Sequence, residues 1–294
     1  MPSLIRLRQD IQFTTRLGGL LDALKSIAAQ QFQSLERAFN ANPPLFEAVQ
    51  TIAGTFDLEH IVHPFTQAEG PVGVILVTSD TGLLGGLNQQ VVSTGIQEYR
   101  REPGDVMVVG ERGAALVREL GLPCKVFPGI QDSGRTALAA QVQAYALHRV
   151  LTGALAMLTI VYPRPLSFTV QRVEVVRVLP CTEWFRDGST ARGVRGGPVM
   201  LESHLAGILE YLVSVWLAQK LYEVFGLSRL AELAARAAHL EGSSQELQRR
   251  GKKLWLRYFR ERREAIDRNI RELSSAKAIS RSQEFEEPME SILR

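Results

Sequence analysis

The chain has 294 residues, 45% of them hydrophobic, and a formal net charge of only +3. That allows a real core in one large domain or two modest ones. Two distant cysteines, Cys124 and Cys181, argue against a disulfide framework and fit a reducing compartment. Charges in MPSLIRLRQDIQF occupy the place of a signal peptide's apolar run, and Glu210 breaks the most membrane-like window, Leu205 to Leu217.

Residues 3 to 39 read as a long helix. Leu4, Leu7, Ile11, Leu17, Leu20, Leu24, Ile27, Ala28 and Leu35 form an apolar stripe near heptad spacing. Gly18-Gly19 should interrupt it, and Asn42-Pro43-Pro44 should end it. Residues 45 to 69 read as a short helix and a loop.

The composition then changes. Val72 to Thr78 is a continuous β-branched run, the mark of a strand buried on both faces. A glycine turn follows, Ser79 to Asn88, then a helix through Tyr99. Val106 to Val109 reads as a strand, Glu111 to Leu120 as a helix and Lys125 to Phe127 as a short strand. Thr136 to Thr152 reads as a helix, and Ala154 to Tyr162 and Phe168 to Leu179 as strands. This alternation predicts a parallel α/β layer. Thr182 to Pro198, rich in Gly and Arg, reads as an exposed loop.

From Ser203 to Ser280 there is no proline and there are only four glycines. Apolar residues recur at threes and fours, through Ile208, Leu212 and Val215, then Leu227, Leu230, Ala234, Ala237 and Leu240, and later Leu247, Leu254, Tyr258 and Ala265. At about 1.5 Å per residue such a helix spans on the order of 100 Å and cannot lie inside one compact domain. The fold class is therefore α/β: a long antiparallel coiled coil of N- and C-terminal helices with an inserted small Rossmann-like α/β domain. The expected divisions are an N-terminal helix and linker (1–57), the α/β domain (70–180), a Gly/Arg-rich loop (181–202), the C-terminal helix (203–281) and an acidic tail (282–294).

The glycine turn lies where nucleotide-binding folds place a phosphate loop. It has no Lys-Ser/Thr after its glycines and does not fit G-x-G-x-x-G, so a tight structural turn is favoured. Its framework residues are Asp80, Gly82, Gly85, Gly86 and Asn88. Arg249 to Arg271 is densely basic, but Glu261, Glu264 and Asp267 interleave. That pattern suits a solvated face or a protein partner better than nucleic acid. His60 and His63 lack a third ligand. No Ser/His/Asp or Cys/His grouping stands out, and no cofactor or metal is expected. Two other readings stay open on the residues alone, a nucleotide-binding enzyme on the α/β layer and a basic helical nucleic-acid adaptor.

Three motifs in order resemble the gamma subunit family of F-type ATP synthases. The first is the N-terminal run Ser3-Leu4, Leu7, Arg8, Ile11, Leu20, Ala23, Leu24-Lys25, Ala28-Ala29. The second is Ser79-Asp80-Thr81-Gly82-Leu83-Leu84-Gly85-Gly86-Leu87-Asn88. The third is Glu232 to Arg236, with the register held through Tyr258, Arg262, Ala265-Ile266, Glu272 and Ala276. The resemblance covers nearly the whole chain. Thr81 stands where the family has arginine, Leu17-Gly18-Gly19 where it has Thr-Gln-Lys, and Asn269 where it has an acid. These departures mark a divergent member and leave open an alternative, for example sodium-linked, F-type complex.

The resemblance implies a central rotor shaft, not catalytic by itself. Both terminal helices would stand inside a ring of alpha and beta subunits. The α/β domain would be a foot on the epsilon subunit and the membrane c-ring. Leu24, Lys25, Arg236, Arg262, Arg263, Asp267 and Glu272 would be subunit contacts, and nucleic acid would not be a partner. The place implied is the cytoplasmic face of a bacterial inner membrane. A turning shaft should also present small and polar residues, here Ala234, Ala235, Ala238, Ser243, Ser244 and Gln245, on its exposed face.

Overall fold

The computed structural model of the chain describes residues 4–39, 61–181 and 204–290, with side chains to residue 277. The expected helix within 45–60, the Asn42-Pro43-Pro44 stop, His60 and the Gly/Arg-rich loop lie outside the described residues. Two compact units divide the rest. One comprises residues 1–24 and 240–294, and the other comprises residues 25–239.

The larger unit contains a five-stranded sheet. Its strands are β1 (Val72–Val77), β2 (Pro103–Val109), β3 (Lys125–Phe127), β4 (Met157–Pro165) and β5 (Gln171–Leu179), in the order β3-β2-β1-β4-β5. β1 pairs in parallel with β2 and β4, and β2 with β3, while β5 runs antiparallel to β4. Pro163 and Pro165 fall where β4 has outrun β1 and pairs only with β5. On that stretch one flank of β4 has no neighbouring strand, so the missing N–H groups cost no ladder bond.

All six residues of β1 are buried, as a strand covered on both faces requires. One face packs Val72, Val74, Leu76 and Val108 under α2 (Leu87–Arg101) and α3 (Glu111–Glu119). The other packs Ile75, Val77, Met107, Ile160 and Tyr162 under α4 (Arg135–Leu151). α5 (Leu205–Glu290) joins the same cluster through Leu209, Val213, Trp216, Leu217, Leu221 and Phe225. The first turns of the long helix are therefore part of the sheet's second cover. The 3-10 turn Pro64–Thr66 adds the buried Phe65.

α1 (Leu4–Phe39) is one unbroken helix. Among its residues the less exposed positions are 4, 7, 11, 14, 17, 18, 21, 25, 28, 29, 32, 35 and 39, and their dominant spacing is an alternation of threes and fours. The seam therefore runs through Thr14, Gly18, Leu21 and Lys25, and Leu20, Leu24 and Ile27 of the expected stripe are exposed. The sequence carries a second heptad-spaced apolar row, Phe13-Leu17-Leu20-Leu24-Ile27, beside the first, and periodicity cannot choose between adjacent rows. Gly18-Gly19 does not interrupt the helix. A cost of about 1 kcal/mol per glycine is small against a long hydrogen-bond ladder held by a packed seam.

The two long helices run antiparallel in each unit. In the larger unit Phe32 packs with Leu230, Leu233 and Ala234, while Phe39 meets Gly226. In the smaller unit Ser244 Oγ donates to Asp22 Oδ1 at 2.9 Å, and Thr14 faces Gly251. Residues 237, 240, 244, 247, 251, 254, 258, 261 and 265 of α5 repeat the three–four alternation. Ala234 and Ser244, expected on the exposed face, are buried in these seams, and Ala235 is buried against Leu84 and Leu87. Their small size serves close helix approach, not an outer surface. The segment read as an acidic tail continues α5 to Glu290.

Gly226→Ala and Gly18→Ala gain the same helix propensity but differ in packing. A Cβ at Gly226 would lie 2.2 Å from the Phe39 ring, while one at Gly18 meets nothing within 4 Å. Thermal denaturation should show Gly226→Ala destabilised by about 1–3 kcal/mol. Gly18→Ala should be stabilised by up to about 1 kcal/mol. Equal effects would contradict the packing described.

Candidate functional site

The strand order reverses beside β1, so the mouth of any ligand crevice lies at the carboxyl ends of β1 and β4. The glycine turn leaves β1 at this place. Leu83, Gly85 and Gly86 all have positive φ, at 66°, 59° and 92°, and two glycines make that cheap. Ser79 N–H donates to Asn88 Oδ1, Asn88 Nδ2 donates to Ser79 Oγ at 2.9 Å, and Ser79 Oγ donates to the Thr81 carbonyl at 2.8 Å. The turn is thus closed by its own side chains.

Asp80 fills the position an anion would take. Its Oδ1 accepts the Glu111 N–H, the first of α3, at 2.9 Å, and its Oδ2 accepts the Gly129 N–H at 3.0 Å. A Cβ at residue 129 would stand 2.4 Å from the Asp80 carboxyl carbon, so only glycine permits this approach. The N-terminus of α3 thus already has its negative partner. A phosphate brought there would face a carboxylate, and across the crevice β4 continues into a hairpin with β5, not into a second helix.

The other side of the turn is fastened to α5. Thr81 Oγ1 donates to Glu232 Oε1 at 3.1 Å and accepts from Arg236 Nη2 at 2.5 Å. Arg236 Nη2 also reaches Glu232 Oε1 at 2.6 Å, and Arg229 Nη1 reaches Glu232 Oε2 at 2.9 Å. Arg229 touches Asp132 at 3.4 Å as well. The Glu232 side chain is 8% exposed. Burial works against the Arg229 charge, but Glu232 and then Asp132 outweigh it and hold its pKa above the ordinary value. Beside this node Leu84 and Leu87 pack on Ala235, and Gly85 lies against His239. Residues 232, 235, 236 and 239 form one face of α5.

The other proposed contact residues lie apart from this node. Leu24 is exposed and Lys25 is half-buried on the α1 seam. Arg262, Arg263, Asp267 and Glu272 are exposed, off the α5 seam. No ion pair forms among those four in the described residues. Near them Leu256, Phe259, Ile266, Ile270 and Leu273 expose large apolar side chains, and so does Phe13 of α1. Ala238 and Gln245 are exposed as expected, but the exterior of the helix pair also carries these large apolar side chains.

His63 and the two cysteines sit in structural surroundings. His63 Nδ1 accepts the Phe65 N–H, and its Nε2 faces Glu210 at 3.1 Å, so it serves as a local cap. Cys181 is fully buried, and burial pushes its thiol up to about 12. Burial also raises the Cys124 thiol, against a smaller opposing effect of Arg118. Among the described residues no cluster of three His, Cys, Asp or Glu could hold a metal, and no helix is long and apolar enough to cross a membrane. The Thr81–Glu232–Arg236 node escaped the sequence reading. The three residues are far apart in the chain, and only the tertiary fold brings position 81 onto α5.

Glu232→Ala would leave Arg229 and Arg236 without their shared carboxylate. Urea denaturation should show a loss of about 3–5 kcal/mol, as for a broken buried ion pair. A loss under about 1 kcal/mol, ordinary for a surface change, would contradict the buried-node description.

Residues 3–279 match the family described as ATP synthase. The ATP synthase gamma chain of Pelotomaculum thermopropionicum is 23% identical over 280 residues, covering 93% of this chain and 97% of its own. That of Clostridium pasteurianum is 26% identical over 280 residues, covering 92% and 96%. Among solved structures, a chain of the Euglena gracilis mitochondrial ATP synthase (OSCP/F1/c-ring) superposes with a TM-score of 0.69 at 15% identity, over 96% of this chain and 95% of that one. A chain of the Tetrahymena thermophila mitochondrial ATP synthase central stalk and c-ring gives 0.56 at 19% identity, over 76% and 99%. The low identities fit the departures at Thr81, Gly18-Gly19 and Asn269. The chain belongs to the ATP synthase family as a divergent gamma subunit of the F-type, the non-catalytic central rotor that couples c-ring rotation to catalysis at the alpha and beta subunits.

Proposed function

We propose that this rotor works at the cytoplasmic face of a bacterial inner membrane, as a peripheral protein. Its α/β domain (70–180) is the foot that receives the epsilon subunit as well as the c-ring, with the first turns of α5 inside its core. The N-terminal helix and linker (1–57) and the C-terminal helix (203–281) form the shaft. Residues 282–290, expected as part of an acidic tail, prolong that C-terminal helix. Nucleic acid is not a partner in this account.

Leu24, Lys25, Arg262, Arg263, Asp267 and Glu272 are proposed as contacts to the surrounding ring, with Arg236 at the base of the shaft. The observation that carries this is the exterior of the helix pair. Arg262, Arg263, Asp267 and Glu272 are exposed and lie off the seam that joins the helices, next to exposed Leu256, Phe259 and Ile266. Side chains that play no part in the chain's own packing are available to a sleeve of other subunits. Apolar groups without directional bonds present a smooth profile to a rotating neighbour. Charged groups add contacts that can break and re-form.

Arg262→Ala combined with Arg263→Ala should slow ATP turnover of the assembled complex several-fold. The thermal transition of the isolated chain should move by no more than about 0.5 kcal/mol, as for exposed substitutions. Unchanged turnover in an intact complex would contradict the contact assignment.

A further inference from the structure

We infer that the Thr81–Glu232–Arg236 node adds torsional stiffness to the joint between α5 and the α/β domain, beyond what their shared core supplies, with Thr81 as its pin. This rests on the rotor reading above. The glycine turn is held from two sides by different chemistry. Asp80 ties it to the start of α3 and to Gly129, both carried by the sheet. Thr81, the next residue, ties it to α5 by a hydroxyl that donates to Glu232 and accepts from Arg236. Two adjacent residues therefore connect the sheet to the long helix through side-chain hydrogen bonds.

The apolar contacts around this place do not fix rotation of α5 about its own axis. Leu84, Leu87 and Ala235 form a small cluster, and such packing is non-directional. The node is directional. Two guanidinium groups and one hydroxyl converge on a single buried carboxylate, and all of the α5 members lie within two turns. A small twist of α5 against the turn stretches the Thr81 bonds and leaves the Glu232–Arg236 pair intact, because that pair lies within the helix. Thr81 therefore resists twist at the turn, beside the Arg229–Asp132, Arg135–Tyr222 and Gln143–Ser214 ties that join α5 to the loop before α4 and to α4 itself, and Arg236 is a positioning residue that orients it.

The test uses the chain assembled with alpha and beta subunits, anchored through the ring, with a reporter bead on the α/β domain. Angular fluctuations are recorded while the complex is stalled between steps. Thr81→Val keeps the shape of the side chain and removes the hydroxyl, and Thr81→Ser keeps the hydroxyl. The angular distribution should broaden in Thr81→Val and in Arg236→Lys and return to the wild-type width in Thr81→Ser. A wild-type width in Thr81→Val and Arg236→Lys overturns the inference, even if either variant melts at a lower temperature, because the node is then only a stability element. A wild-type chain that does not rotate in the assembly counts instead against the rotor reading.

Discussion

The sheet depends on having two covers. β1 lies at its centre, paired in parallel on both sides and buried along its whole length. A strand of this kind is stable only if both faces are kept from water. α2 and α3 supply one cover. α4 alone does not complete the other, and the space is filled by Leu209, Val213, Trp216, Leu217, Leu221 and Phe225 of α5. The long helix and the domain thus share one hydrophobic core. A rotor needs this property, because a foot joined to its shaft by a loop could not carry torque.

The glycine turn serves the same end by electrostatics. In nucleotide-binding relatives of this architecture the helix N-terminus beyond β1 is kept open for phosphate. Here the turn before α2 is closed by its own side chains, and Asp80 sets a carboxylate against the first N–H of α3, the helix after β2, and the Gly129 N–H. The geometry that would hold a ligand becomes a joint. Glu232 then gathers the turn, Arg229 and Arg236 into one buried network. Burying a carboxylate is costly unless it is paired and hydrogen-bonded, and Arg229, Arg236 and Thr81 supply three donors.

Much of this was legible in the sequence. The β-branched runs at 72–78 and 106–109 announced parallel strands, since few other structures bury so many consecutive Val and Ile residues. The absence of proline from Ser203 to Ser280 announced the long helix. The glycines at 79–88 announced a turn, and Ser79 and Asn88 close it. The α1 seam was misread at Leu20, Leu24 and Ile27 because two apolar rows run side by side with the same spacing. Ala234 and Ser244 were assigned outward because small and polar residues suit a surface, yet they suit a tight helix contact equally, and Ala235 suits the contact with Leu84 and Leu87. The Thr81 node could not be read at all. A threonine in a turn carries no mark of a partner on α5, and helical spacing explains the pairing of Glu232 with Arg229 and Arg236 without it.

The central claim is that the α/β domain and the first turns of α5 open as one cooperative body. Native-state hydrogen exchange measures this directly, amide by amide. The amides of Leu212, Leu217 and Leu221 should share the opening free energy of Ile75 in β1 and Ile160 in β4, within the global unfolding step. Exchange of the α5 amides through an opening about 2 kcal/mol or more below that of the strands would contradict it, since α5 would then detach while the sheet stays folded.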